Sequence, residues 1–288
     1  MSVVVYGFIN SLILALFAIG FSLAFGVSGI PNFSHGALYI LCGYITWILL
    51  TKLGLPLAVC IILALGITAL IGGTMYQLIL RRVRGMPASE VMVSLSIGIA
   101  IMELLRWGGL RGGSVTLPPF IDGSIQLLGV PVDYQRIIIM IAAAALVLGL
   151  WLFTHFTDAG LSLRAIAQDE GAALMLGIDS DHTAVLAMSL GSALAGLAAV
   201  LILPTGNITV EGGYEVLTFA IAVCVCGGLG RWFGAVLAAF IIGYAQMITV
   251  HFVAAAYHMV VAMLAIVIIL IAKPSGLFGR QKELEERV

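Results

Sequence analysis

Apolar runs long enough to cross a bilayer recur along this whole chain, and they constrain it more than any other feature. They cover residues 3–30, 35–51, 55–80, 89–107, 135–155, 182–203, 217–229, 233–251 and 256–272. A hydrocarbon core about 30 Å thick needs roughly 20 residues of helix. In lipid every backbone polar group must be paired within the protein. The only alternative to helices is a closed barrel, which needs a period-two alternation that is absent here. The run 217–229 is short and closes on CGGLG, which leaves a re-entrant half-helix open. The expected fold is therefore an all-α integral membrane protein, one transmembrane domain over 1–288 with eight or nine transmembrane helices. Charged residues make up only 9% of the chain, where a soluble domain carries about a quarter. The first run is too long, and lacks the basic flank, for a cleaved signal peptide.

Basic residues orient such a bundle. With nine spans, Arg81, Arg82, Arg84, Arg164, Arg231, Lys273, Arg280, Lys282 and Arg287 share one side, and Lys52, Arg106, Arg111 and Arg136 the other. The richer side is expected to be cytoplasmic. That puts the N-terminus outside, the loop 108–134 outside, and the tail 274–288 inside. Gly191 with Ala195, Ser192 with Gly196, and Gly230 with Gly234 repeat small residues at four-residue spacing, which lets helix backbones approach closely. Cys42, Cys60, Cys224 and Cys226 all fall in apolar runs. On a helix Cys224 and Cys226 point about 200° apart, so all four are expected to pack as small hydrophobes.

One stretch breaks the pattern. RAIAQDEGAALMLGID, residues 164–179, crowds Arg164, Asp169, Glu170 and Asp179 between two spans. Leu163, Ile166, Ala167, Leu174 and Gly177 fall near one face of a single short helix, with Gly177 as its stop and Asp179 or Ser180 capping the next span. Within a cytoplasmic loop of about 157–180 this is either a plain connector or a docking helix. In the second case the small residues Ala172 and Ala173 offer a shallow face that another protein's cleft could grip.

Polar residues inside the spans are the other candidates. Pro31 removes an N–H and disfavours helix at Ile30, so Asn32 or Ser34 can cap a new helix with His35 in its first turn. A break at membrane depth lines a cavity or lies buried in protein; an ordinary turn at the surface is the alternative. Asn10 and Gln246 either bond between helices or, with Asn32, Ser34 and His35, line a translocation pathway. Glu103 and Arg106, three residues apart, pair locally. No second residue is spaced to make His35 a metal ligand, so no metal is expected.

Arg164-Ala165, Asp169, Ala172-Ala173 and Gly177-Ile178 resemble the cytoplasmic loop of permeases from ATP-binding cassette importers. The acidic residue usual before the Ala pair is Gly171 here, with Asp169 and Glu170 displaced upstream. That departure is typical of the branched-chain amino acid branch. GVSGIPNFSHG (26–36), GGLGRWFGA (227–235) and KPSGLFG (273–279) are similar to segments of the same branch, so the likeness spans the chain and is of the LivH type. The resemblance implies a coupling helix formed by Arg164, Ala165, Gln168, Asp169, Glu170, Ala172, Ala173 and Gly177. It also implies two ATPase subunits that bind ATP and Mg, a second permease (a LivM-type partner or an identical copy), and a periplasmic binding protein. The setting it implies is the bacterial cytoplasmic membrane, with lipid around the chain and no nucleic acid. The substrate would be a branched-chain amino acid or a related amino acid, amide or urea.

The chain itself contains no G-x-x-x-x-G-K-[ST] phosphate loop, so ATP-driven work needs another chain and no cofactor is expected in this one. Two rival functions lack what they need. An ion-coupled secondary transporter needs a mid-membrane carboxylate or histidine relay, and the aspartates lie at loops. An intramembrane enzyme needs a motif such as HExxH or GxSxG, and neither occurs.

Overall fold

The computed structural model describes residues 1–110, 113–127 and 129–279. In chain order its helices are α1 Ser2–Ser28, α2 His35–Thr51, α3 Leu57–Val83 and α4 Pro87–Leu110. A two-stranded hairpin follows, β1 Ser124–Leu127 and β2 Val130–Asp133, with Ser124 opposite Asp133 and Leu127 opposite Val130. Then come α5 Tyr134–Phe156, α6 Asp158–Gln168, α7 Glu170–Met175, α8 Ser180–Ile202, α9 Val210–Gly227, α10 Trp232–Phe252 and α11 Ala255–Ala272. Eight of these are long and apolar enough to cross a membrane by length and composition; α2 is a shorter apolar helix. The fold class read from the sequence stands.

Two expectations need correction. The run at 217–229 belongs to a helix that starts at Val210, not to a thirteen-residue piece. Its first turn is polar, which hid it from a hydropathy reading. Thr209 Oγ1 accepts from Gly212 N at 3.2 Å and Glu211 sits at the positive end of the helix dipole, both of which favour a start there. The stretch 108–134, expected as one loop, also includes the last turn of α4 and the hairpin. Arg111, Arg280, Lys282 and Arg287, which helped to orient the bundle, lie outside the described residues.

The bundle is built around α1. From Leu14 to Ala24 every residue of this helix is buried, whereas α11 shows little burial and α3, α4 and α5 expose rows of Leu, Ile and Trp outward. Lipid is as apolar as leucine, so burying those outer faces gains little; close backbone approach and dispersion hold the centre. A Cβ on Gly20 would lie 2.6 Å from the Gly191 carbonyl oxygen of α8, and one on Gly26 would lie 2.6 Å from that of Gly230. The small residues of α8 serve three neighbours. Gly191 meets α1, Ser192 meets Gly72 of α3, and Gly196 meets Cys42 of α2. All four cysteines are buried and free, as expected.

The bundle has two distinct ends. At one, Gly26 meets Gly230, Val27 packs on Leu163, and Arg84 reaches Ser180. At the other, Tyr6 OH donates to the Pro131 carbonyl at 2.7 Å, Val115 bridges Ile208, and Tyr44 OH donates to the Gly108 carbonyl at 2.8 Å. The end carrying α6 and α7 also holds Arg81, Arg231 and Lys273, in line with the expected charge asymmetry.

The packing predicts a contrast between two glycine replacements. Gly191→Leu overpacks the α1–α8 contact and should cost about 1–3 kcal/mol, read as a lower melting midpoint of the detergent-solubilised protein. Gly149→Leu on α5, where nothing lies within 4 Å of an added Cβ, should melt like the parent.

Candidate functional site

The segment between α5 and α8 is folded back onto the bundle. Thr157 caps α6, its Oγ1 accepting from Gly160 N at 3.0 Å. Gly160 sits against the Phe153 carbonyl, too close for a side chain. Leu163 and Ile166 then bury themselves with Val27 of α1, Ala187 of α8 and Ala173 of α7. At Asp169 the backbone turns extended (φ −160°, ψ 103°) and the helix stops. The Asp169 carboxylate accepts from Ala172 N at 2.9 Å and starts α7. The expected single helix is thus two. An aspartate competes with the helix for its own backbone and favours caps over interiors. Gly177 ends α7 at φ +84°, as expected, with its N–H on the Leu174 carbonyl at 3.0 Å. Asp179 caps α8 by accepting from His182 N at 3.0 Å, and that N–H holds its carboxyl below the usual range.

The break redistributes the residues named from the sequence. Leu174 does not share a buried face with Leu163 and Ile166: it is half exposed, and Met175 and Leu176 are 91% and 81% exposed. Ala172 is exposed but Ala173 is buried, so the pair forms no single shallow face. Gln168, Asp169, Glu170 and Gly177 face water, while Ala165 is half-buried. Arg164 is half-buried too; its Nε is buried with no partner among the described residues, and it lines a small cavity with Gly26, Gly230 and Trp232. Glu170 turns back to Arg84 at the end of α3. That contact joins residues 86 positions apart and no local spacing announces it.

The break at 29–35 runs deep. Gly29 is exposed, but Ile30, Asn32, Ser34 and His35 are all buried, so the stretch runs inward from the surface and is not an ordinary surface turn throughout. His35 Nε2 donates to the Phe17 carbonyl at 3.0 Å. Phe17 precedes the end of α1 by eleven residues (28 − 17), about 16 Å along the axis, so α2 begins well inside the bundle. Its start is held by Asn32, whose Oδ1 accepts from both Ser34 N (3.1 Å) and Ser34 Oγ (2.5 Å). Ser34 is the N-cap residue by position but, like Asn32, gives α2 no side-chain cap; the His35 N–H donates to the Asn32 backbone carbonyl at 3.1 Å. Ser94 of α4 braces the stretch by donating to the Pro31 carbonyl at 3.2 Å and accepting from Phe33 N at 3.3 Å. The chain is broken where other helices, not water, satisfy it.

The five pathway candidates do not converge. Asn32, Ser34 and His35 form the group just described. Asn10 Nδ2 donates to Gln246 Oε1 at 2.8 Å, and Gln246 Nε2 donates to the His258 carbonyl at 2.9 Å, tying α1, α10 and α11. Of the five, Asn10 also lines a cavity of about 170 Å³ near the start of α1, with Ile13, Arg136, Thr205 and Met247. Glu103 and Arg106 pair at 2.6 Å as expected, with Glu211 as a second partner. Among the described residues no cluster of His, Cys, Asp and Glu could hold a metal.

The other two family-like stretches meet each other. Gly228 breaks α9 at φ +100°, leaving terminal carbonyls that need donors. Leu277 N donates to the Cys226 carbonyl at 2.8 Å and Phe278 N to that of Gly227 at 3.3 Å. Arg231 locks the arrangement by donating to the Phe278 carbonyl at 2.6 Å. KPSGLFG is the cap of the helix that ends in GGLG.

A family model described as a branched-chain amino acid transport system permease component matches residues 3–271. The chain is 30% identical over 281 residues to the high-affinity branched-chain amino acid transport permease BraD of Pseudomonas aeruginosa, covering 92% of this chain and 91% of that one. It is 29% identical to LivH of Salmonella typhimurium with the same coverage. Among solved structures, PsaBC from Streptococcus pneumoniae in complex with Fab has the same fold. The TM-score is 0.52 at 13% identity, over 99% of this chain and 96% of that one.

The buried break yields a second prediction. Asn32→Ala strips the acceptor from two buried donors of Ser34, at about 1–3 kcal/mol for each group left unpaired. The variant should melt measurably below the parent in detergent, while Ser96→Ala, which alters an exposed hydroxyl on α4, should not.

Proposed function

This chain belongs to the family of branched-chain amino acid transport permease components, and from that premise we propose how it works. It is the membrane-spanning subunit of an ATP-driven importer. It receives a branched-chain amino acid, or a related amino acid, amide or urea, from a binding protein outside and releases it into the cytoplasm. ATP and Mg are bound and hydrolysed on two separate ATPase subunits. The apolar outer faces of α3, α4, α5 and α11 meet lipid and a second permease, either a LivM-type partner or an identical copy. The protein lies in the cytoplasmic membrane with the α6–α7 end and the C-terminus inside and the N-terminus outside.

The observation that carries this reading is the tip Leu174-Met175-Leu176. Single exposed apolar residues are ordinary, but three in a row on a capped six-residue helix, beside a glycine turn, make a contiguous patch of the kind that marks an interface. The patch is mechanically backed. Its neighbour α6 is pinned to α1 and α8 through Leu163, Ile166, Val27 and Ala187, so a push on α7 reaches two of the well-buried helices of the bundle. Ala173 belongs to the backing and Met175 and Leu176 to the contact. At the other end of that chain of contacts, α2 starts at the buried break, where Asn32, Ser34 and His35 are bonded to neighbouring elements. Displacing α1 against α8 would release those polar groups toward a pathway.

The double variant Met175→Arg with Leu176→Arg places two charges in the contact and leaves the backing intact. It should reach the membrane in normal amount yet lose about tenfold or more of its co-purifying ATPase. An undiminished complex whose ATP hydrolysis still rises with loaded binding protein would refute the docking role.

A further inference from the structure

Resting on the docking role just proposed for α6 and α7, we propose that Arg84 is a positioning residue that makes the end of α3 part of the lever. It clamps α7 so that movement of the tip is delivered to α3 directly, in parallel with the apolar route through α6.

The two halves of the lever are held differently. α6 buries Gly160, Leu163 and Ile166, whereas the only buried residue of α7 is Ala173. Beyond the extended Asp169, almost nothing apolar fixes α7 to the body. What holds it is ionic. Arg84 Nη2 lies 2.7 Å from Glu170 Oε1, while Nη1 donates to Ser180 Oγ at 3.1 Å and lies 3.7 Å from Asp181 Oδ1. Arg81 Nη2 pairs with Asp181 Oδ2 at 2.6 Å, and Ser180 Oγ closes the ring by donating to Glu170. One exposed ion pair contributes little. Here two cations and two carboxylates share a hydroxyl, and the planar fork of Arg84 spans three acceptors, which a lysine cannot do.

Arg84 is itself fixed. It ends α3 in extended backbone, and Gly85 follows at φ +87°. The Gly85 N–H is held at 2.7 Å by the buried carboxylate of Glu90, in the first turn of α4. Further back along α3, Met75 and the two residues that bound its π-turn, Tyr76 and Leu80, are buried against Ile30, Ala184 and Met188. The Met75 Sδ accepts from Ser34 Oγ at 3.2 Å. Met75 lies nine residues (84 − 75) from Arg84, about 13 Å along the axis. A rigid clamp on Glu170 therefore connects the tip, through one short rod of helix, to the buried break before α2.

The test uses the complex purified with its ATPase subunits, reconstituted in liposomes, with leucine-loaded binding protein as the probe. Leucine uptake per ATP hydrolysed is the readout. Arg84→Gln and Glu170→Gln should each lower it about fivefold or more with the ATPase subunits still bound, and Arg84→Lys should fall between. Arg84→Cys with Glu170→Cys should be as poor as Arg84→Gln until the thiols are joined by a short bis-maleimide, which restores coupling; the four native cysteines are buried and do not compete. The proposal is overturned if Arg84→Gln stays within about twofold of the parent, if it sheds the ATPase subunits, or if the covalent bridge abolishes transport. The docking role is separable from the clamp. If the Met175/Leu176 variant couples normally, the docking role fails. If that variant loses the ATPase while Arg84→Gln behaves as the parent, only the clamp falls.

Discussion

Everything in this molecule depends on how closely other backbones can approach α1. In water a helix bundle is held by excluding solvent from its core, but in lipid the outside is as apolar as the inside. What remains is contact area, and contact area grows as side chains shrink. Gly20 against Gly191 and Gly26 against Gly230 bring main chain onto main chain. Around that tight centre further large side chains are turned outward, where α11 shows Ile268 and Ile271 and α3 shows Ile62 and Leu70. The distribution differs from that of a soluble domain: large apolar residues such as Leu14 and Phe21 fill the centre between the glycine contacts, and large apolar residues cover the outside as well.

The polar groups then occupy the places the glycines make available. His35 can bond the Phe17 carbonyl because α1 is approached so closely at that depth, and its ring stands edge-on to Phe21 at 5.8 Å between centroids. Asn32, Ser34 and Ser94 satisfy a chain that has left helical geometry inside the bundle. The end bearing α6 and α7 follows a different rule. It is built from caps, ion pairs and turns, because water is within reach and each bond there is weaker and more easily exchanged. A stiff apolar body and a labile polar rim meet at Leu163, Ile166 and Ala173.

Much of this was legible in the order of residues. Long apolar runs can only be helices in lipid, so the spans and their approximate ends followed. Gly177 and Asp179 announced a stop and a cap through chemistry confined to a few positions. Harder to read were features whose cause lies far along the chain. Thr209 and Glu211 begin α9 in polar residues, so hydropathy placed its start too late. Asp169 was read as one charge on a helix, whereas its carboxylate reaches Ala172 N and divides the helix in two. Arg84 finds Glu170 only because α3 and α8 end side by side, and Asn10 finds Gln246 across the full span of the sequence. The candidate residues of the lever were legible as a segment, but which of them face outward required the break at Asp169.

The bond between KPSGLFG and the end of α9 reaches beyond the finished structure to the order of its making. Cys226 and Gly227 emerge from the ribosome fifty-one residues before their partners Leu277 and Phe278 (277 − 226 and 278 − 227). Two further spans, α10 and α11, must enter the bilayer in between. Until then the last carbonyls of α9 depend on water, and the hinge at Gly228 stays free to pivot. A ribosome that stalls just after α11 therefore leaves the helices before it in place and the GGLG corner unfastened.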